Sequence, residues 1–257
     1  MRGALLLSVL AAAAAALPAA AATGPAPAPL ATPLIARFSS AAIGEPPPPW
    51  RHVTLPRQPR HTRYAVVDDA GTHVLRIDAD GSYSNLLHPL AQPLGETPML
   101  RWRWRADALP AGADLARKDG DDVAARLCVL LDLPLERLTF TDRLKLRLGR
   151  RLFDPTLPAA AICYVWDSAL AAGTWLPNAY TARVQMLVLR SRRSGDPAGR
   201  WIDEQRDLRA DFARAFPHEA ANGPLPALAA IGVAADGDNT SGTARSYFGD
   251  LTLDRAP

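Results

Sequence analysis

Cysteine is scarce: Cys128 and Cys163 are the only two in 257 residues, and neither lies beside a histidine in the sequence. No local Cys–His nucleophile pair results. No Gly-x-Ser-x-Gly elbow occurs, and His52, His61, His73, His88 and His218 show no paired zinc-ligand spacing. Serine, cysteine or zinc catalysis would therefore have to be assembled from residues distant in the chain. A long apolar run is missing too, since the block Ala4 to Leu17 stops at Pro18, short of the about 20 apolar residues that a membrane anchor needs. No cysteine follows it to carry a lipid. Charge of one sign is not in excess either. The net charge is +3, from 29 basic and 26 acidic residues, and the surplus is local. Residues 136–151 hold Arg137, Arg143, Lys145, Arg147, Arg150 and Arg151 against Glu136 and Asp142, which leaves the remainder slightly acidic and argues against a nucleic-acid partner.

What is present at the N-terminus has the form of a secretory signal peptide over 1–22: Arg2, the apolar block, and an Ala20-x-Ala22 site before Thr23. It predicts an exported protein, placed in the periplasm. Removing it leaves roughly 235 residues, enough for one large β domain with a sizeable core. Residues 23–33 are rich in Ala and Pro without apolar periodicity, as expected of a flexible tether ahead of a single domain over 34–257. Export permits a Cys128–Cys163 bridge. Two buried free thiols are the alternative, because a chain of this size needs no staple.

Strand-like runs, β-branched or aromatic and bounded by Gly, Pro, Asp and Ser, recur near 34–38, 50–54, 62–67, 73–79, 83–87, 98–105, 122–132, 160–167, 180–190, 199–206, 227–234 and 244–254. With so little helix between them, they predict an all-β fold, a jelly-roll-type antiparallel β-sandwich. Two short helices interrupt it. Over 141–152, Leu144, Leu148 and Leu152 share one stripe of a basic amphipathic helix with Thr141 as N-cap. Such a helix either covers a sheet edge or makes a peripheral contact with anionic lipid headgroups or another acidic partner. The second, near 208–216, has Asp207 to cap it and Pro217 to follow its end.

Candidate chemistry sits in three places. In Leu100-Arg101-Trp102-Arg103-Trp104-Arg105 a strand puts both tryptophans on one face and the arginines on the other, so Trp102 and Trp104 either join the core or form a platform for sugar rings. Tyr164 and Trp166 add to the aromatic supply. The loop from Gly112 to Arg126 sets Asp114, Asp119, Asp121 and Asp122 around Lys118; Asp121 and Asp122 would point to opposite faces, one towards Arg126 and one towards a site. The loop Asp236-Gly-Asp238-Asn239-Thr240 lies between two apolar strand-like runs and is dense in oxygen and amide groups. It starts like a calcium loop, but Ser241 stands where an EF-hand needs Gly and Tyr247 where it needs Glu. It supplies hydrogen bonds to sugar hydroxyls, ligands to a hard cation, or hairpin chemistry.

Taken together, Trp102-Arg-Trp104, Lys118-x-Gly120-Asp121-Asp122-x-Ala-Ala-Arg126, Cys163-Tyr164-Val-Trp166, Arg206-Asp207-x-x-x-Asp211-Phe212 and Asp236-x-Asp238-Asn239-Thr240 resemble the family called Domain of Unknown Function 3047. The resemblance spans roughly Phe38 to Leu253. It implies an exported bacterial protein and brings no established activity and no assigned catalytic residues. The tail Tyr247-Phe248-Gly-Asp250-Leu-Thr-Leu253 also resembles the last strand of galactose-binding-like jelly rolls, which implies Asp250 as a ligand of a structural Ca2+; no other cofactor is expected. The expected function is binding of a carbohydrate or other polyhydroxylated envelope ligand without catalysis. Lys118, Asp121, Asp122, Arg126, Asp236, Asp238, Asn239 and Thr240 would supply the polar contacts, and Trp102, Trp104, Tyr164 and Trp166 the stacking surface. The alternatives are a glycan hydrolase or lyase using paired aspartates and a structural protein of the envelope.

Overall fold

A computed structural model describes residues 34–54, 58–96, 98–152 and 158–255. The signal segment and tether expected over 1–33 lie outside them. Among the described residues the strands are, in chain order, β1 (Leu34–Ala36), β2 (Arg51–Val53), β3 (Arg63–Asp69), β4 (Thr72–Asp80), β5 (Asn85–Pro93), β6 (Met99–Ala108), β7 (Ala125–Asp132), β8 (Ala160–Asp167), β9 (Trp175–Asn178), β10 (Thr181–Ser191), β11 (Ile202–Asp207), β12 (Ala227–Ala234), β13 (Thr243–Phe248) and β14 (Leu251–Asp254). Helix α1 (Phe140–Leu152) joins β7 to β8, while α2 (Leu208–Ala215) and α3 (Pro217–Ala221) join β11 to β12. No helix among the described residues is long and apolar enough to cross a membrane.

The strands form the two layers of a β-sandwich. Sheet 1 runs β1-β14-β6-β13-β4-β3 with β11 on the far side of β6, and sheet 2 runs β2-β5-β12-β7-β8-β10-β9. Pairing is antiparallel throughout except between β8 and β10, a departure from the wholly antiparallel expectation. The cause is β9, which turns back at the sheet edge so that β10 enters between it and β8, running the same way as β8. Pro177 hides β9 in the sequence, because proline lacks the ladder donor and sits mainly on edge strands. The expected strand 244–254 is two strands, broken at Gly249 and Asp250. A Cβ on Gly249 would come within 2.6 Å of Arg103 Cγ, so this break needs a residue with no side chain. The β3–β4 turn is equally specific: Ala70 and Gly71 both have positive φ, the geometry of a two-residue hairpin loop whose twist matches its strands.

Alternation on β6 decides where the tryptophans go. Trp102 is 3% exposed and Trp104 fully buried, and both meet sheet 2 through Tyr164 and Trp166 of β8, with ring centroids 5.3 Å and 5.6 Å apart. Phe248 of β13 packs on Trp104 at 5.9 Å. This aromatic column is the centre of the core, and losing any one of its indoles should cost about 3–5 kcal/mol. The four aromatic residues offered as a sugar platform are therefore interior side chains, since a ring covered on both faces cannot stack on a ligand.

Both helices form, with small corrections. Thr139, not Thr141, caps α1: its Oγ1 accepts from Asp142 N–H at 3.1 Å. Asp207 caps α2 as expected, accepting from Arg209 N–H at 2.9 Å. Of the expected leucine stripe, Leu144 and Leu148 are exposed, and Leu152's side chain lies outside what is described.

Candidate ligand-binding site

Strand periodicity that sends Leu127, Val129 and Leu131 into the core turns Arg126, Cys128 and Leu130 to the outer face of sheet 2. There they join Leu87, Ala161, Cys163, Val184 and Gly232 in the floor of a hollow of about 340 Å³. Cys128 and Cys163 face each other across β7 and β8 and are bridged, so of the two alternatives the disulfide holds, and it forms part of the floor. Gly232 keeps the floor low, since a Cβ there would lie 2.6 Å from Leu87 Cδ2.

Three loops build a polar wall at one end. The β6–β7 connection folds over sheet 2, anchored by buried Leu115 and Val123 against Val165, Met186 and Val188, and delivers Asp121. The β12–β13 loop, which crosses from sheet 2 to sheet 1 where the sequence suggested a hairpin, delivers Asp236, Asp238 and Asn239, and the β9–β10 turn delivers Asn178 and Tyr180. Asp122 locks the first two together. It is fully buried, accepts from Asn239 N–H at 3.2 Å and Thr240 N–H at 2.8 Å, and also takes the Thr240 hydroxyl. Gly237 and Gly242 close this loop with a 2.9 Å backbone hydrogen bond, an approach that a Cβ on Gly237, 2.3 Å from Gly242 O, would prevent.

Inside the wall, Arg126 Nη2 donates to Asp236 Oδ2 at 2.9 Å and lies 3.7 Å from Asp121 Oδ1. Asp236 Oδ1 also accepts from Val123 N–H. Asn178 Nδ2 donates to Asp121 Oδ2 at 2.8 Å. Two polar atoms at the heart of this cluster, Asp121 Oδ1 and Arg126 Nε, are buried with no hydrogen-bond partner. Burial pushes the Asp236 carboxyl up, to about 8, against the pull of Arg126, and burial likewise raises Asp121. Burial is the main cause, and the neighbouring carboxylate adds to it, since two carboxyls around one guanidinium leave one negative charge uncompensated in a dry place.

The acidic segments expected to converge do so, with different roles. Asp121, Arg126, Asp236, Asp238 and Asn239 line the hollow. Asp122 and Thr240 form the latch behind it. Lys118 stands at the rim, its Nζ 5.4 Å from the Tyr180 ring centroid and its carbonyl accepting from the Tyr180 hydroxyl at 3.0 Å. Tyr83, Asn85, Asn178 and Tyr180 also line the hollow, and nothing in the sequence pattern set them apart. Asp250 is elsewhere, on the outer side of sheet 1, where it accepts from Ser39 N–H at 2.9 Å and Ser39 Oγ at 2.6 Å. A calcium ion there would have to displace Ser39 from both oxygens, and the described residues contain no cluster of three or more His, Cys, Asp or Glu fit to hold a metal. A larger hollow of about 580 Å³ on sheet 1 adjoins Asp250, but its charges are mostly engaged: Arg101 with Asp254 and Gln205, and Arg103 over Trp201.

A layered β-sandwich with loops walling the outer face of one sheet is the class of structure seen here. The chain belongs to the family described as protein of unknown function (DUF3047), whose model matches residues 48–252. A search of curated proteins finds no significant match. Among solved structures the chain is similar to endoglucanase cel12A from Rhodothermus marinus, with 11% identity, 77% of this chain and 88% of that one covered, and a TM-score of 0.40. It is also similar to the glycoside hydrolase domain of Endo-D from Streptococcus pneumoniae, with 11% identity, 80% and 21% covered, and a TM-score of 0.31.

Proposed function

We propose that this is an exported, periplasmic protein that binds a neutral polyhydroxylated ligand, a glycan of the cell envelope, in the hollow of sheet 2 without transforming it. The observation that carries this reading is the pair of unpartnered buried atoms, Asp121 Oδ1 and Arg126 Nε, set in the wall of an open hollow. A buried acceptor and donor without partners are costly, and a hydroxyl, which both donates and accepts, is the kind of group that would complete such pairing. Asn85, Asn178 and Asn239 add planar groups that can donate and accept, and the aliphatic floor suits the C–H face of a sugar. Three carboxyls against one guanidinium disfavour an anionic ligand. Titration calorimetry with a panel of neutral cell-wall and capsular oligosaccharides tests it. Binding that Asn178→Ala weakens about tenfold, the loss of a hydrogen bond to a charged group, is expected; no binding by any member of the panel would sink the reading.

A second reading rests on the raised carboxyls, which place a proton donor in the same hollow. A glycan hydrolase would use Asp121 as general acid. Product release from the same panel, abolished by Asp121→Asn while the fold is kept, would select it over simple binding.

A further inference from the structure

Helix α1 is amphipathic the wrong way out for a helix that merely covers a sheet. Phe140 is 79% exposed, Leu144 59% and Leu148 54%. At about 100° per residue these three fall within an arc of about 80°. Leu146, well round the helix from them, is its apolar contact with the core. The half-buried side also carries Asp142 and Arg143, the latter turned back to the carbonyls of Glu136 and Leu138. The outward face carries cations beside its apolar arc: Arg147 lies along one flank and Lys145 beyond the other, while Arg151 continues the arc itself one turn past Leu148, all three exposed. Surface helices of ordinary domains bury their apolar stripe, so three large apolar side chains in water need an occupant.

We propose that α1 docks the protein onto an anionic lipid bilayer, with Phe140, Leu144 and Leu148 entering the boundary between headgroups and acyl chains and Lys145, Arg147 and Arg151 meeting the phosphates. An apolar centre with a basic border is the composition that lies in a membrane interface, where buried area and attraction to anionic lipid add. A partner surface of pure apolar character would not use the cations, and an acidic one would not use the stripe.

The test is co-sedimentation with vesicles of phosphatidylcholine alone and of equimolar phosphatidylcholine and phosphatidylglycerol. It uses a chain beginning at Thr23, which keeps every described element and drops the apolar block 4–17 that would itself enter a bilayer. Binding to the anionic vesicles, weakened by salt, is expected. Leu144→Gln with Leu148→Gln should lower partitioning about tenfold, and each of Lys145→Gln, Arg147→Gln and Arg151→Gln about fivefold. All five positions are exposed, so an unchanged thermal midpoint will show that folding is kept. Equal sedimentation with both vesicle types would overturn the proposal, as would a double glutamine variant that binds like the parent. A concentration-dependent dimer that the same double variant dissolves would assign the stripe to a second copy of the chain instead. None of these outcomes alters the reading of the hollow.

Discussion

Two buried nodes in this molecule are made from similar parts, a guanidinium paired with a buried carboxyl and a tyrosine nearby, and they end differently. Around Asp211, 3% exposed, Arg206 donates through Nε at 2.9 Å and again through Nη2, and Tyr164 donates its hydroxyl at 2.6 Å. That node ties the start of α2 to β8 and β11, and it is closed. Around Arg126, one carboxylate is held, the second stands at 3.7 Å, and both an acceptor and a donor are left without partners. That node faces a hollow, and it is open. Ion pairs and hydrogen bonds alone do not mark a site; the discriminating property is unfinished pairing next to accessible space.

The largest expected difference comes from cutting the open node at its centre. Arg126→Met would leave Asp236 and Asp121 buried with no compensating charge, and breaking a buried pair from one side typically costs about 3–5 kcal/mol. Denaturant unfolding should show that loss as a lower midpoint with unchanged slope. Asp211→Ala in the closed node should cost less, about 2–3 kcal/mol, mainly from the stranded Tyr164 hydroxyl. Arg206, whose side chain is 31% exposed, can still reach water. Glycan affinity should survive Asp211→Ala in the folded fraction. If the two variants lost equal stability and equal affinity, the distinction between closed and open would be empty.

Much of this was legible in the chain. Period-two patterning located the strands, and the strict alternation of Leu100 to Arg105 fixed which face of β6 is interior. The acidic loops could be recognised by composition, because carboxylates and amides concentrated between apolar runs must lie at sheet ends. What the chain did not disclose is long-range. Asp121 and Asp122 are adjacent, yet one lines the hollow and the other locks the β12–β13 loop, a division set by where residues 236–240 arrive. The fate of the aromatic residues was ambiguous for a similar reason: alternation shows that Trp102 and Trp104 share a face, but only the packing of sheet 2 shows that the face is covered. Pro177 concealed β9 and with it Asn178 and Tyr180.

The smallest change in stability should sharpen the comparison most. Asp121 is buried beside a cation that a second carboxylate already holds, so Asp121→Asn removes a charge whose burial is only partly repaid and should move stability by less than about 1 kcal/mol. Its signature is in pH. The neighbouring Asp236 carboxyl, raised from 3.8 to about 8 in the folded chain, holds a proton there that the unfolded chain has released. Between those values the folded state binds more protons, and stability falls as pH rises. Unfolding midpoints of the parent protein should therefore decline from pH 5 to pH 8 by more than the exposed groups account for. Asp121→Asn should make that decline shallower without abolishing it, because it removes the repulsion from Asp121 while the burial that chiefly raises Asp236 remains. Asp211→Ala, which touches only the closed node, should leave the slope as it is. A parent profile that is level over this interval, or a slope that Asp121→Asn leaves intact, would mean that the Arg126 cluster carries no excess charge and is as finished as its counterpart.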